Sequence, residues 1–440
     1  MKNFLETLRN IWTIEDLRKR ILTTLALVLI YRVGSYVILP GVNTDALSAG
    51  NAGGLIDLIN IFAGGAFSRA SVFALGIMPY ISASIIMQLA GIAIPTIQKL
   101  QREGESGRNK INSWTRMLTI VICAFQAPTY LATYVQQAAF DSGVFFMVSS
   151  TIILIAGTMF VVWLGEKITE RGIGNGVSLI IMIGIIANLP MAFAEELIAK
   201  TQGAGDYLFL LIEIVLLLLV IMFSILLVQG TRRIPIQTAK RIVGRGMKQM
   251  QVGGQRQYLP LKVNAAGVMP IIFAQAIMIV PGIAFSGTSF GATFSNVQGF
   301  WYNFTLAVMI ILFTYFYTAV TVNPNQIADE LKRTGSFIPG VKPGKQTSEY
   351  IDHLLSRITL PGSMFLALIA ILPAFAMMLG IKQQFALFYG GTSLLIMVGV
   401  VLDTLQQIES HLLSRHYDGL MKGGRIKGRG SAMPAVGQAF

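Results

Sequence analysis

The sequence predicts an all-α membrane protein that crosses the bilayer ten times. Of its 440 residues, 54% are hydrophobic and only 12% are charged, and the mean hydropathy is +0.64. So little charged surface is not enough to keep a soluble chain of this length in solution. Apolar runs of about 20 residues recur along the chain, and a helix of that length spans the hydrocarbon core of a membrane.

The ten predicted spans are bounded by the ends of these apolar runs. In order they are Ile21–Leu39, Val72–Ile94, Trp114–Gln136, Val144–Leu164, Val177–Leu197, Tyr207–Val228, Ala265–Phe285, Phe304–Val322, Leu360–Leu379 and Phe385–Leu402. Basic residues orient them, because loops on the cytosolic side carry the excess of Lys and Arg. With the N-terminus in the cytosol, every Lys and Arg lies on the cytosolic side except Arg32, Arg69, Lys200 and Lys382.

The spans divide the chain into four predicted parts. Residues 1–20 form a cytosolic amphipathic segment, and 405–440 form a basic cytosolic tail. Between them, 21–205 and 206–404 each hold five spans, an odd number that is compatible with inverted repeats. No clear internal sequence match accompanies this topology. Cys123 is the only cysteine, so the chain cannot form an intramolecular disulfide.

Two long basic loops face the cytosol in this topology. Residues 229–264 contain RRIPIQTA and RQYLPLKV, whose alternation predicts a β-hairpin. Residues 323–360 predict a helix, an exposed tip with the sequence PGVKPGK, and a second helix. One interpretation is that the positive charge of these two loops serves only to set the topology. Long structured loops exceed that need, so docking of a large partner is the favoured interpretation.

Two apolar stretches do not read as ordinary spans. LIDLINIFAGG at 55–65 is too short to cross the membrane, and it either rests on the outer surface or folds back into a cavity between helices. In FALGIMPYISASIIMQL at 73–89, Ile77, Ile81 and Ile85 are spaced four residues apart around Pro79. Such a stripe is compatible with helix packing or with the lining of something narrow. The prolines in or near spans are expected to kink their helices, as membrane bundles allow, namely Pro79, Pro128, Pro190, Pro270 and Pro281.

The sequence offers no catalytic chemistry. The three histidines lie in cytosolic segments or at their edge, and no span holds a metal-type His/Cys/Asp/Glu cluster. GVKPGKQT departs from the phosphate-binding loop in spacing, so no nucleotide or other cofactor site is predicted. Charged residues inside spans mark many ion-coupled transporters, and here they are Arg32 and Glu213. A structural ion pair or a snorkelling residue explains them too, so a small-solute transporter and a pore-less insertase remain as alternatives.

Six long segments, in order between about Leu17 and Asp403, carry a family resemblance. They are FALGIMPYISASIIMQL, QKLQREGESGRNKINSWTR, WLGEKITERGIGNGVS, LPLKVNAAGVMP, NPNQIADELKRTGSFIPGVKPGKQT and YGGTSLLI. Together they resemble the SecY family, the channel subunits of the bacterial protein translocon. The resemblance implies a clam of two five-helix halves around an hourglass pore, with a seam that opens sideways to lipid. It also implies a protein-conducting channel that does no covalent chemistry.

The resemblance assigns roles to individual residues. The hydrophobic pore ring falls on Ile77, Ile81, Ile181, Ile272 and Ile396, with Ile85 peripheral. The plug, a short helix that closes the pore, falls on Leu55, Ile56, Asp57, Leu58, Ile59, Asn60, Ile61, Phe62, Ala63, Gly64 and Gly65. Polar positions of the lateral gate fall on Ser82, Gln126 and Asn264. Contacts for the motor and the ribosome fall on Arg245 and Lys342.

The implied partners supply what the chain lacks. The resemblance implies SecE and SecG as membrane subunits, with the SecA ATPase and the translating ribosome docking from the cytosol. Unfolded preproteins and their signal peptides are the implied cargo, and the implied location is the bacterial cytoplasmic (inner) membrane with both termini in the cytosol.

Relatives often carry arginine at position 342. The lysine of this chain keeps the positive charge there but lacks the planar guanidinium group that arginine uses for paired hydrogen bonds.

Overall fold

The structure is a computed structural model. It describes residues 14–43, 63–140, 143–202, 207–238, 241–243, 250–252, 256–284 and 298–423, together with Trp12, Leu47 and Asn60. Most of the predicted amphipathic segment 1–20, most of the predicted plug, the predicted docking residue Arg245 and residues 424–440 of the predicted basic tail lie outside these residues.

The described chain is helical, with a small sheet region. Its helices are α1 Glu15–Gly34, α2 Met78–Ala93, α3 Pro95–Arg102, α4 Glu105–Tyr130, α5 Val144–Arg171, α6 Gly176–Gln202, α7 Tyr207–Gln229, α8 Met269–Ala284, α9 Phe300–Thr321, α10 Pro324–Arg333, α11 Lys345–Met378, α12 Gln383–Ala386 and α13 Gly391–Gly423. Its strands are β1 Thr231–Thr238, β2 Arg241–Val243, β3 Met250–Val252, β4 Arg256–Lys262 and β5 Ser336–Phe337.

A helix covers at least part of each of the ten predicted spans. Among the described residues, seven helices are long and apolar enough to cross a membrane, namely α4, α5, α6, α7, α9, α11 and α13. An eighth crossing results if α2 and α3, bent by 102° against each other, count as one broken span. Of the other two, α1 carries Arg18, Lys19, Arg20 and Arg32, and the described part of α8 is 16 residues long. The predicted all-α membrane class is confirmed.

The second predicted span begins later than expected, and its proline plays a different part. Residues 72–77 form turns, and α2 starts at Met78 with Pro79 in its first turn. The first N–H groups of a helix have no partner within it, so a proline there forfeits no hydrogen bond. Pro270 is likewise the second residue of α8. The expectation that these two prolines kink their helices is therefore wrong.

Glycines allow α5 to pack against its neighbours at backbone distance. A Cβ on Gly176 would lie 1.9 Å from the carbonyl oxygen of Gly165, where α6 starts beside α5. A Cβ on Gly157 would lie 2.2 Å from the carbonyl oxygen of Val72. The RGIGNG segment before α6 also contains Gly174 at φ +81°, a conformation that favours glycine. These glycines serve close packing as well as the turn.

The two long basic loops have the secondary structure that their sequences predict. Strand β1 pairs antiparallel with β4, from Thr231 opposite Lys262 to Gln237 opposite Arg256, and β5 pairs with the other edge of β1. The 323–360 region folds as α10, a tip and the start of α11. The side chain of Asn323 accepts hydrogen bonds from the first N–H groups of α10, which fixes where that helix begins. A small core unites hairpin and helices, formed by Ile234, Leu261, Ile338, Ile351 and Leu355.

The closest helix packing falls into two sets. Helix α4 packs on α2 and α5, and α5 packs on α6, whereas α9 packs on α8 and α11. Helix α6 also contacts α13 and α12, and so joins the first set to the second. We call the boundary between α2 and α4 on one side and α8 and α9 on the other the seam. It lies between the two sets of helices.

Replacing Gly157 by alanine is expected to destabilise the protein, because the new methyl group meets a backbone oxygen that cannot move aside. Overpacking of this kind costs about 1–3 kcal/mol. Gly399 is the matched control, since it is also a mid-helix glycine and a Cβ there meets nothing within 4 Å. Thermal unfolding in detergent should show a lower Tm for Gly157→Ala than for Gly399→Ala. Equal Tm values would contradict the described approach of α5 to residue 72.

Candidate functional site

Isoleucines from four separate parts of the chain meet in one hydrophobic cluster. Ile77 immediately precedes α2 and Ile81 lies in its first turn, while Ile181, Ile272 and Ile396 belong to α6, α8 and α13. Ile77, Ile181 and Ile396 are buried, and the other two are partly buried against the same cluster. We call these five residues the apolar junction. Ile85, one turn further along α2, is buried outside this cluster.

A cavity of about 820 Å³ opens on one side of the apolar junction. Ile81, Ile181, Ile272 and Ile396 line it, and most of the other lining residues have polar or charged side chains. Two of its wall residues, Arg116 of α4 and Glu166 of α5, form an ion pair of 2.7 Å. We call this space the polar cavity. It lies toward the predicted cytosolic side, since it is lined by residues near the cytosolic ends of α4 and α5.

The end of the predicted plug lies beside α6 near the apolar junction. Of its residues, the structure describes Asn60, Ala63, Gly64 and Gly65. Gly64 and Gly65 have φ values of +64° and +80°, and a Cβ on Gly64 would lie 3.0 Å from Cα of Gly184. Gly184 is one turn from Ile181 on α6. Paired glycines therefore let this segment lie against α6 at backbone distance.

Two arginines converge on the same peptide group. Nη1 of Arg32 and Nη2 of Arg69 both donate to the carbonyl oxygen of Gly64, at 3.3 and 3.0 Å. The guanidinium of Arg69 also lies 4.3 Å from the ring centre of Tyr36, within cation–π distance. No ion pair involves either arginine among the described residues. Sequence reasoning singled out Arg32 and missed Arg69, because the two meet only in the fold.

The three residues expected at the lateral gate have different environments. Ser82 of α2 donates within its own helix, to the carbonyl oxygen of Met78. Gln126 of α4 is exposed, and Asn264 is buried in the turn before α8. The side-chain oxygen of Asn264 has no hydrogen-bond partner in the described part of the chain. No hydrogen bond joins any two of these three described residues.

A different pair bridges the seam. The hydroxyl of Tyr317 on α9 donates to the side-chain oxygen of Gln88 on α2. Gln88 also lines the polar cavity. Sequence reasoning missed both residues. A glutamine in an apolar run was the available signal, but nothing in the sequence pairs it with a tyrosine 229 positions away.

An ionic cluster joins α6 and α7 at their predicted outer ends. Nζ of Lys200 lies 3.0 Å from Oε1 of Glu213 and 3.7 Å from Oε1 of Glu196. Both carboxylates are buried. The other oxygen of Glu196 accepts from the backbone N–H of Lys382, and Tyr389 donates to the backbone carbonyl of Glu213. The structural ion pair considered for Glu213 is therefore present, with Lys200 as the partner that sequence reasoning did not identify.

Of the two predicted docking residues, the structure describes Lys342, which is exposed. Lys342 lies at the tip between β5 and α11, and its carbonyl oxygen accepts a hydrogen bond from Thr347. The side chain is thus presented to solvent by an ordered turn. Among the described residues, no group of His, Cys, Asp or Glu side chains could hold a metal ion.

Comparison with known proteins gives the family. The sequence model of the SecY family matches residues 71–405. The chain belongs to the SecY family. It is 41% identical to the protein translocase subunit SecY of Mycobacterium bovis, over 95% of this chain and 99% of the relative. It is 40% identical to the Escherichia coli subunit, over 94% and 96%.

Solved structures share the SecY fold. A protein-conducting channel matches with a TM-score of 0.64 and 16% identity, covering 92% of this chain and 95% of the other. Sec61 from a canine ribosome–channel complex matches with a TM-score of 0.60 and 15% identity, covering 92% and 95%. A SecY whose plug domain stabilises the closed channel matches with a TM-score of 0.57 and 18% identity over the same shares. Members of the SecY family are translocase channel subunits, so this protein is a channel and not an enzyme.

Replacing Lys200 by methionine is expected to destabilise the fold strongly. The substitution leaves the carboxylates of Glu196 and Glu213 buried without a cation, and breaking a buried pair in this way costs about 3–5 kcal/mol. Lys167→Met is the control, since Lys167 pairs with Glu170 at the surface. Denaturant unfolding in detergent should show a much lower free energy of unfolding for Lys200→Met than for the parent. The free energy of unfolding of the control should change little. A Lys200→Met protein as stable as the parent would contradict the described ionic cluster.

Proposed function

We propose that this chain forms the gated pore through which unfolded secretory proteins cross the bacterial cytoplasmic membrane, and that it releases apolar segments sideways into lipid. The apolar junction carries the proposal, because four separate parts of the chain bring aliphatic side chains together beside a polar cavity. A channel for chains of any sequence needs a constriction without a tight binding site. A narrow aliphatic constriction meets that need and blocks ions by dewetting.

The pore ring in this proposal is Ile77, Ile81, Ile181, Ile272 and Ile396. Isoleucine is stiff at χ1, so five of these side chains make a collar of definite width. Contacts between aliphatic groups are also non-directional. The collar can therefore widen around a passing chain without leaving a polar group unpaired.

The plug in this proposal is Leu55–Gly65, which closes the pore from the outer side. The approach of Gly64 to Gly184 supports it, because Gly184 is one turn from the ring residue Ile181. The bonds from Arg32 and Arg69 to Gly64 supply an anchor for the end of the segment. The similar SecY in which the plug domain stabilises the closed state agrees with this role.

Lateral release uses the seam in this proposal. The five-span parts 21–205 and 206–404 separate there, with Ser82, Gln126 and Asn264 at its polar positions. The burial of Asn264 with an unpaired side-chain oxygen in the described chain supports a role for that residue in a boundary that rearranges. The ionic cluster between α6 and α7 favours a contact between these two helices that stays closed when the seam opens.

Partners supply energy and docking in this proposal. The SecA ATPase or a translating ribosome docks on the basic cytosolic loops at Arg245 and Lys342, and SecE and SecG are the membrane subunits. The exposure of Lys342 on an ordered tip supports docking there. The similar Sec61 channel comes from a ribosome complex, which agrees with a ribosome as one partner. Both termini are cytosolic in this arrangement.

The test is transport by the purified complex with SecE and SecG in sealed vesicles, supplied with SecA, ATP and an unfolded secretory precursor. The parent protein should carry the precursor to a protease-protected site and should leak few ions. Ile181→Ser should keep transport but raise ion leak several-fold, because a hydroxyl at the constriction admits water. Ile186→Ser on the same helix is the control, since Ile186 is 40% exposed and belongs neither to the apolar junction nor to the lining of the polar cavity.

Two results would overturn the proposal. Equal leak from Ile181→Ser and Ile186→Ser would show that the apolar junction is not the barrier to ions. Uptake of a small solute driven by a proton or sodium gradient, without precursor transport, would support a secondary transporter instead.

A further inference from the structure

The ionic cluster between α6 and α7 holds more carboxylates than cations. Its one ammonium group, on Lys200, lies 3.0 Å from Oε1 of Glu213 and 3.7 Å from Oε1 of Glu196. Glu196 is only 1% exposed and Glu213 only 8%. If both carboxylates were ionised, one net negative charge would be buried between the two helices. A buried charge without a partner is so costly that such a group takes up a proton instead.

The hydrogen bonds of the cluster are also too few for two ionised carboxylates. Oε2 of Glu196 accepts from the backbone N–H of Lys382 at 2.9 Å, and Oε1 of Glu213 faces Lys200. The other oxygen of each carboxylate is buried and has no hydrogen-bond partner in the described chain. The hydroxyl of Tyr389 is occupied elsewhere, since it donates to the backbone carbonyl of Glu213 at 2.8 Å. One ionised and one protonated group fit this supply of donors better than two ionised groups.

Neighbouring charged groups do not supply the missing cation. Glu195, next on α6, adds a further carboxylate and is only partly buried. The side chain of Lys382 is exposed and forms no ion pair among the described residues. Arg32 on α1 is directed to the carbonyl of Gly64. The other ionisable side chain of α7 is Tyr207, which is 62% exposed, and α12 and the outer halves of α5 and α11 carry none.

We infer that Glu196 and Glu213 together bind one proton at neutral pH, and that this proton stabilises the contact between α6 and α7. In this state Lys200 neutralises the one ionised carboxylate, and no net charge is buried. Loss of the proton at higher pH restores the buried negative charge and weakens the contact. The inference does not depend on the proposed function, because it concerns only the two helices that connect the five-span parts.

The bound proton makes the stability of the fold depend on pH in a defined direction. Glutamates in an unfolded chain release their protons near about pH 4. Above that pH the folded chain therefore holds one proton more than the unfolded chain. Raising the pH favours the unfolded state until the folded chain has also lost the proton. Over this range the unfolding equilibrium constant rises by up to about tenfold per pH unit.

Infrared spectroscopy tests the proton directly. The purified full-length chain is measured at about pH 7, where exposed carboxyl groups are ionised, in a detergent without ester groups. The parent should show the carbonyl band of a protonated carboxylic acid, and the band should vanish as the pH is raised. Glu196→Gln and Glu213→Gln should each abolish the band, because the remaining carboxylate pairs with Lys200. Glu195→Gln, the matched control on α6, should keep it.

Two infrared results would overturn the inference. One is a parent protein that lacks the carbonyl band at this pH. The other is a band that persists in Glu196→Gln and in Glu213→Gln, because the proton would then belong to a different carboxyl group.

Denaturant unfolding of the same proteins tests what the proton does. Between about pH 6 and about pH 8, the unfolding constant of the parent should rise more steeply than that of Glu213→Gln, by up to tenfold per pH unit. Glu195→Gln should keep the steepness of the parent. At the higher pH, Glu213→Gln should be at least as stable as the parent, because it buries no unpaired charge.

A purely structural ion pair predicts a different outcome, since Glu213→Gln would then be less stable than the parent at every pH. That result, or parallel pH profiles of the parent and Glu213→Gln, would overturn the inference. Glu196→Gln gives an independent second variant with the same expected profile. Failure of both variants to fold at the higher pH would also overturn the inference, because each should have a neutral cluster there.

Discussion

Under the proposed function, the fold depends on one constraint: the point where its helices meet must exclude water and must still be able to open. Ile77, Ile181, Ile272 and Ile396 meet there without a hydrogen bond or a charge between them. Contacts between aliphatic groups gain free energy from burial and impose no geometry. Helices joined only by such contacts can part and return without stranding a polar group. The polar links of the described chain are found around this centre and not within it.

Those polar links differ in kind on the two sides of the molecule. Where α6 meets α7, Lys200 holds two buried carboxylates, and the backbone of residue 382 completes the site. At the seam the link is the neutral bond from Tyr317 to Gln88. Buried ion pairs resist disruption because each charge left unpaired in the interior is costly. Breaking a neutral hydrogen bond beside water costs less, since water can replace the lost partner. Under the proposed function, this difference directs opening to the seam.

The sequence was informative wherever one segment determines its own structure. Apolar run length located the helices, alternation in RRIPIQTA and RQYLPLKV predicted the β1–β4 hairpin, and PGVKPGK predicted the tip. The stripe of Ile77 and Ile81 was visible, but periodicity reports burial and not the partner. The bonds from Lys200 to Glu213 and from Tyr317 to Gln88 join distant segments, so no local pattern encodes them. The position of Pro79 was misjudged because run length does not show where a helix begins.

The most direct test of the central claim is to ask what a passing chain touches. A photoreactive amino acid would be placed in turn at Ile81, Ile181 and Ile396, and at Phe145 as a control that is 87% exposed on α5. A secretory precursor arrested midway through the vesicle-bound complex is then irradiated. The account predicts crosslinks to the precursor from all three isoleucine positions and none from Phe145. Crosslinks absent from the isoleucines, with translocation intact, would contradict a route through the apolar junction.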